Sequence, residues 1–161
     1  MKNILILLIC LFIIGGCSYQ NNELKWFDNL DAAITYGMKK ESIQKEDILG
    51  KVEKNGEIFI VYKKKLKEGL GVGVSSISKE NNKFSWYRSN PFVLVKNKHV
   101  ETYPTKISFD IVTQSNKTFI VYVGVSNKEI IYIDTLTKKK VIPQTDKNTG
   151  IYFYIEFKEL I

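Results

Sequence analysis

The sequence predicts an α+β domain in which an N-terminal helix packs on a largely antiparallel β-sheet; a β-sandwich with one helix is the nearest alternative. Three observations carry this. Apolar residues recur at helical spacing in one early stretch, after Asp28. Beyond Gly50 the apolar period becomes two. The alternating stretches are separated by short turn clusters: Asn55-Gly56, Glu80-Asn81-Asn82, Asn90-Pro91, Ser115-Asn116-Lys117 and Ser126-Asn127-Lys128. One helix ahead of many short strands on hairpin-length connections describes this class.

The helix is predicted over residues 29–40. Leu30, Ile34 and Met38 fall on one side with Ala33 and Gly37 beside them. Asp28 is placed to cap its start, Asp31 suits the first turn, and Lys39 and Lys40 suit the C-terminal end of the dipole. Trp26 and Phe27 staple its start to the core. Residues 42–49 make a turn or a second short helical piece.

Strands are expected at 51–54, 57–63, 70–78, 83–88, 92–95, 106–113, 118–125, 129–135 and 151–157, the last with Ile151, Phe153, Ile155 and Phe157 alternating against Tyr152, Tyr154, Glu156 and Lys158. Gly69, Gly71 and Gly73 form a G-x-G-x-G run, but Leu70, Val72 and Val74 alternate through it and no helix pattern follows to receive a phosphate. Those glycines mark close backbone packing or a bend. The lysine runs 63–65 and 138–140 sit at predicted strand ends, where lysine blunts edges.

Ahead of this domain, Lys2, an apolar run from Ile4 to Ile14 and the small residues Gly15 and Gly16 follow the order of an export signal. The run is well short of the about 20 apolar residues that span a bilayer. The ending Ile14-Gly15-Gly16-Cys17 resembles the lipobox of bacterial lipoproteins. In such a motif the thiol takes a diacylglyceryl group as a thioether, and small neighbours admit the peptidase. The chain therefore divides into a lipoprotein signal peptide (1–16), a flexible tether (17–25) and a single α+β domain (26–161). Cys17 is the expected lipid attachment site, with an ordinary secretory cleavage or an uncleaved N-terminal anchor as the alternatives. Two acyl chains hold a protein stably where one is marginal. The expected location is the extracytoplasmic face of the cell membrane.

Removing the leader leaves about 145 residues, enough for one domain with a real core. Cys10 leaves with the leader and Cys17 carries the lipid, so no thiol remains for a disulfide, a metal site or nucleophilic catalysis. The formal charge is +7, yet Arg88 is the sole arginine. Bidentate recognition of phosphate and base edges favours arginine, which argues against nucleic acid. The lysine excess is read first as a solvated surface and second as weak attraction to anionic lipid head groups or wall polymers.

No catalytic set is found. His99 is the only histidine, in a polar segment without a nucleophile motif near it. Glu46 and Asp47 are sequence neighbours, not a converging pair. Asp146, Asn148 and Gly150 lack the rest of a calcium loop. No cofactor is expected beyond the covalent diacylglycerol on Cys17, and no metal. The stretch Phe84-Ser85-Trp86-Tyr87-Arg88-Ser89-Asn90-Pro91-Phe92 gathers a tryptophan, a tyrosine and the arginine before a turn. Residues of these types are favoured in contact surfaces. Trp86, Tyr87 and Arg88 form the candidate binding patch, although aromatics on a strand also build cores.

The lipobox at Cys17, together with Ala33-Ile34-Thr35-Tyr36-Gly37-Met38, Glu46-Asp47-Ile48-Leu49-Gly50, Phe84-Ser85-Trp86-Tyr87-Arg88-Ser89 and the stretch from Phe119 to Val125, resembles small lipoproteins of low-GC Gram-positive bacteria. The resemblance covers most of the mature chain. It implies a membrane-anchored envelope protein, and apart from the lipobox its motifs imply no mechanism. The function expected is a non-enzymatic binding or interaction module for an envelope protein, a peptide or an anionic wall polymer. An inhibitor or self-protection lipoprotein is the alternative, and a hydrolase built from dispersed ionisable groups a weaker one.

Overall fold

The computed structural model describes residues 24–97, 106–128 and 131–159. Cys10, Cys17, His99 and most of the tether lie outside the described residues. The chain runs through β1 (Trp26–Phe27), α1 (Leu30–Glu41), a 3-10 turn (Lys45–Asp47), β2 (Ile48–Lys54), β3 (Glu57–Lys65), β4 (Gly69–Glu80), β5 (Lys83–Tyr87), β6 (Val93–Asn97), β7 (Ile107–Val112), β8 (Thr118–Val125), β9 (Gln144–Thr145) and β10 (Ile151–Phe157). The fold is a β-rich α+β arrangement of antiparallel sheets with one helix. The helix is not the first element, because β1 precedes it and pairs with β5.

The strands form two sheets. One has the order β1-β5-β4-β3-β2, with β6 also paired to β4; the other has the order β7-β8-β10-β9. They share one core, in which Phe59, Val61, Val72, Val74 and Val95 of the first meet Ile111, Phe119, Val121, Val123, Ile151, Phe153 and Ile155 of the second. Each fully buried side chain of this size contributes about 1.5–3 kcal/mol. The outer faces are covered too. Ile60, Tyr62, Ile77 and Trp86 pack under α1, against Leu30, Ile34 and Met38. Ile120, Tyr122 and Tyr152 pack under Ile131, Ile133 and Val141 of a strap that crosses the second sheet.

Asn29, rather than Asp28, caps α1: its side chain accepts from the Ala32 amide at 2.8 Å. Left-handed Ser42 ends the helix. Three of the turn clusters close hairpins, with Asn55, Gly56, Asn81, Asn82 and Asn116 all at positive φ, whereas Asn90-Pro91 and Ser126-Asn127-Lys128 do not. Gly73 lies opposite Tyr62, and a Cβ there would stand 2.7 Å from the Tyr62 ring and 2.8 Å from that of Phe92. Close packing is therefore what the G-x-G-x-G run provides.

The turn or short helical piece expected at 42–49 is a 3-10 turn at Lys45–Asp47, and β2 begins earlier than expected, at Ile48. One strand expectation fails. The stretch expected as strand at 129–135 is, in its described part, irregular apart from one bridge between Ile133 and Val141. Both edges of β8 are already taken by β7 and β10, leaving this apolar stretch to lie across the sheet as a cover instead of joining it.

Candidate functional site

Trp86 belongs to the core. It is 2 % exposed, its ring lies 5.7 Å from that of Tyr62, and it presses on Gly37 of α1. Arg88 opens the segment 88–92 that interrupts the strand between β5 and β6. Ser76 pairs with Tyr87 and Val72 with Val93, so three residues of β4 face five on the partner side. The arginine holds this excursion in place. Its Nε donates to Glu41 Oε1 at 3.0 Å and its Nη1 to the Asn90 carbonyl at 3.1 Å, while its guanidinium stacks 4.8 Å from the Phe92 ring centre. Glu41 is 5 % exposed, and its carbonyl accepts from Lys64 Nζ at 2.5 Å. Tyr87 and Arg88, with Tyr36, Lys40 and Lys25, rim a small cavity of about 210 Å³. The three residues singled out from the sequence thus divide between packing, helix docking and the wall of a minor cavity.

A larger site is built at the end of the sandwich where β8 stops and β10 starts. Ser126 donates its amide to the Gly150 carbonyl at 2.9 Å, and Lys128 donates its amide to Ser126 Oγ at 3.1 Å. The facing turn is closed by Asp146, whose Oδ2 accepts from the Thr149 hydroxyl at 2.5 Å and amide at 3.2 Å. These bonds, the Thr149 hydroxyl foremost, hold the Asp146 carboxyl below its ordinary range against the opposing effect of burial. Gly150 sits at φ +69°, and a Cβ there would meet the Ser126 carbonyl oxygen at 2.5 Å. Only glycine fits this crossing without strain.

Around it lie two clefts that share Ser126 and Lys128. One, of about 620 Å³, is lined by Lys106, Lys128, Lys140, Tyr132, Tyr152 and Asp134 among others. The second, of about 570 Å³, is lined by Lys96, Lys128, Lys147, Thr145, Asn148 and Thr149 among others. Five lysines thus converge, and among the described residues the only acid in either lining is Asp134. Among the described residues, none of the five forms a salt bridge with a carboxylate. Two of them donate to neutral backbone groups: Lys106 Nζ to the Asp134 carbonyl at 2.8 Å, and Lys96 Nζ to the Thr149 carbonyl at 3.2 Å.

The strap that walls the larger cleft is fastened by a buried carboxylate. Glu156, 5 % exposed, accepts from Tyr122 Oη at 3.2 Å, from the Thr135 hydroxyl at 3.0 Å and from the Thr137 hydroxyl. Tyr122 Oη in turn accepts from the Leu136 amide at 2.7 Å. Burial pushes the Glu156 carboxyl up, and the hydroxyl donors outweigh it, so the group lies below its ordinary range. Sequence reading missed this site because its lysines come from separate stretches; the turn cluster Ser126-Asn127-Lys128 was the one local signal. Comparison with protein-family models, curated proteins and solved structures gives no match.

Proposed function

We propose that the chain is a membrane-anchored, extracytoplasmic, non-enzymatic binding module whose ligand is an anionic polymer of the cell wall. The observation that carries this is the convergence of Lys96, Lys106, Lys128, Lys140 and Lys147 on two adjoining clefts without a carboxylate partner among the described residues. Clefts lined by one sign of charge concentrate counter-charged ligands. The buried carboxylates support a binding role over a hydrolytic one. Glu41 is held by Arg88, Glu57 by Lys117 and Ser115, and Glu156 by Tyr122 and two threonines, each in a structural tie.

The direction of the site fits an anchor at Cys17. Trp26, where the tether joins the domain, pairs with Ser85, which pairs with Ser78 of β4. Lys96 pairs with Leu70 of the same strand. Positions 70 and 78 are separated by roughly 26 Å at the rise of an antiparallel strand. The basic clefts accordingly sit at the far end of the sheet from the tether, where they address the wall more readily than the bilayer.

The test is a binding isotherm for the full chain in neutral detergent with poly(glycerol phosphate) against an uncharged glucan. The expected result is binding to the phosphate polymer that weakens steeply with salt and falls in Lys128→Glu, with no binding to the glucan. Equal binding of both polymers, or of wild type and Lys128→Glu, contradicts the proposal. A second reading, a protein-docking inhibitor, is favoured by Leu136 and Ile142, which stand exposed on the strap.

A further inference from the structure

The larger cleft carries one feature that charge alone does not use. Ile131 and Ile133 turn down into the outer cluster on the second sheet, which sets Tyr132 between them on the opposite side, 60 % exposed. Four large apolar residues stand exposed among the described residues, and Tyr132 is the aromatic one. It lines the same cleft as Lys106, Lys128 and Lys140. Directly after Tyr132 the strap is fastened by the Ile133–Val141 bridge and by the Glu156 cluster, so the ring stands beside a tied segment.

We infer that this cleft recognises a sugar unit bearing a negative charge: a glycosyl residue attached to, or carrying, a phosphate or carboxylate. The inference rests on the anionic-polymer reading above and narrows it. An aromatic ring offers an electron-rich face to the weakly positive C–H face of a pyranose, while its hydroxyl remains at the wet edge. The lysine ammoniums complement the charge that the sugar carries. Asp134 adds an acceptor at the rim; its Oδ1 takes the Lys140 amide at 2.9 Å, and its second oxygen is available in kind for a sugar hydroxyl. A bare phosphate chain leaves the tyrosine face unused, and a neutral sugar leaves the lysines uncompensated. The volume of about 620 Å³ lies in the range of small-ligand sites.

The experiment titrates the full chain in neutral detergent with three probes: poly(glycerol phosphate) carrying glucosyl substituents, the unsubstituted polymer, and free methyl glucoside. Wild type is expected to bind the substituted polymer about tenfold tighter than the bare one, the scale of a single aromatic contact. Methyl glucoside is expected not to bind. Tyr132→Ala should weaken the substituted polymer about tenfold more than the bare one, Tyr132→Phe should keep the advantage, and Lys128→Ala should weaken both polymers. Because Tyr132 is exposed, its variants are expected to melt with wild type. Equal affinity for the two polymers, or a Tyr132→Ala loss shared equally between them, overturns the sugar assignment while leaving the anionic-polymer reading intact. Binding of neither polymer overturns both.

Discussion

The phenol of Tyr122 joins the second sheet to its cover: Oη donates to Glu156 Oε2 at 3.2 Å and accepts from the Leu136 amide at 2.7 Å. The strap that carries Tyr132 is therefore held through one buried carboxylate. Its hydroxyl donors keep Glu156 below the ordinary glutamate range in the folded state. As pH falls, the unfolded chain takes up the proton first, so the stabilisation is complete at neutral pH and is lost through the acid side of that range. Asp146, depressed in the same direction, adds to the loss. Melting temperature measured against pH should drop on acidification, and Glu156→Gln should flatten part of that drop. At neutral pH the variant should lose about 1.5–3 kcal/mol, the scale of a hydrogen bond to a charged group.

Gly150 fixes the crossing of the two turns beneath the basic clefts. Gly150→Ala combines a strained positive φ with a contact of 2.5 Å to the Ser126 carbonyl. A cost of about 1–3 kcal/mol is expected. Denaturant titration reads that cost, and polymer affinity should fall with it because Ser126 and Lys128 line both clefts.

Trp86 should matter to stability and not to the ligand. A Cβ at Gly37 would fall 1.9 Å from the Trp86 ring, so Gly37→Ala must separate helix from sheet. Trp86→Ala should cost about 3–5 kcal/mol by leaving a cavity. In chains that remain folded, polymer affinity should equal wild type in both variants.

Arg88 has a comparable structural role. Its loss leaves the buried Glu41 carboxylate without its cation. Because Arg88 is itself 27 % exposed, the expected cost lies at the lower end for a broken buried pair, about 3 kcal/mol. The double variant Arg88→Met with Glu41→Gln should recover much of it, as read by chemical denaturation.

Much of the strand pattern was legible. The alternation in β8 and β10 marked their full lengths, and the Asn-rich turns marked the hairpins. The division into two sheets was harder to see, because apolar residues on both faces of β3, β8 and β10 say that layers lie on each side without saying which strands supply them. β9 has two residues and no pattern. Trp86 read as a contact residue because its partner Gly37 is remote in sequence and carries no side chain to announce the packing. The clefts were hidden for a similar reason: Lys96, Lys106, Lys128, Lys140 and Lys147 are each unremarkable turn or strand-end lysines, and only the pairing of β8 with β10 and the path of the strap bring them together.

Lysine footprinting reads directly where an anionic polymer binds. The full chain in neutral detergent is acetylated with and without poly(glycerol phosphate), and the modification of each lysine is followed by mass spectrometry. Protection is predicted at Lys96, Lys106, Lys128, Lys140 and Lys147, with Lys39, Lys54 and Lys79 unchanged. Protection spread evenly over all lysines, or centred on Lys25 and Lys40 beside Arg88, would rule out these clefts as the polymer site.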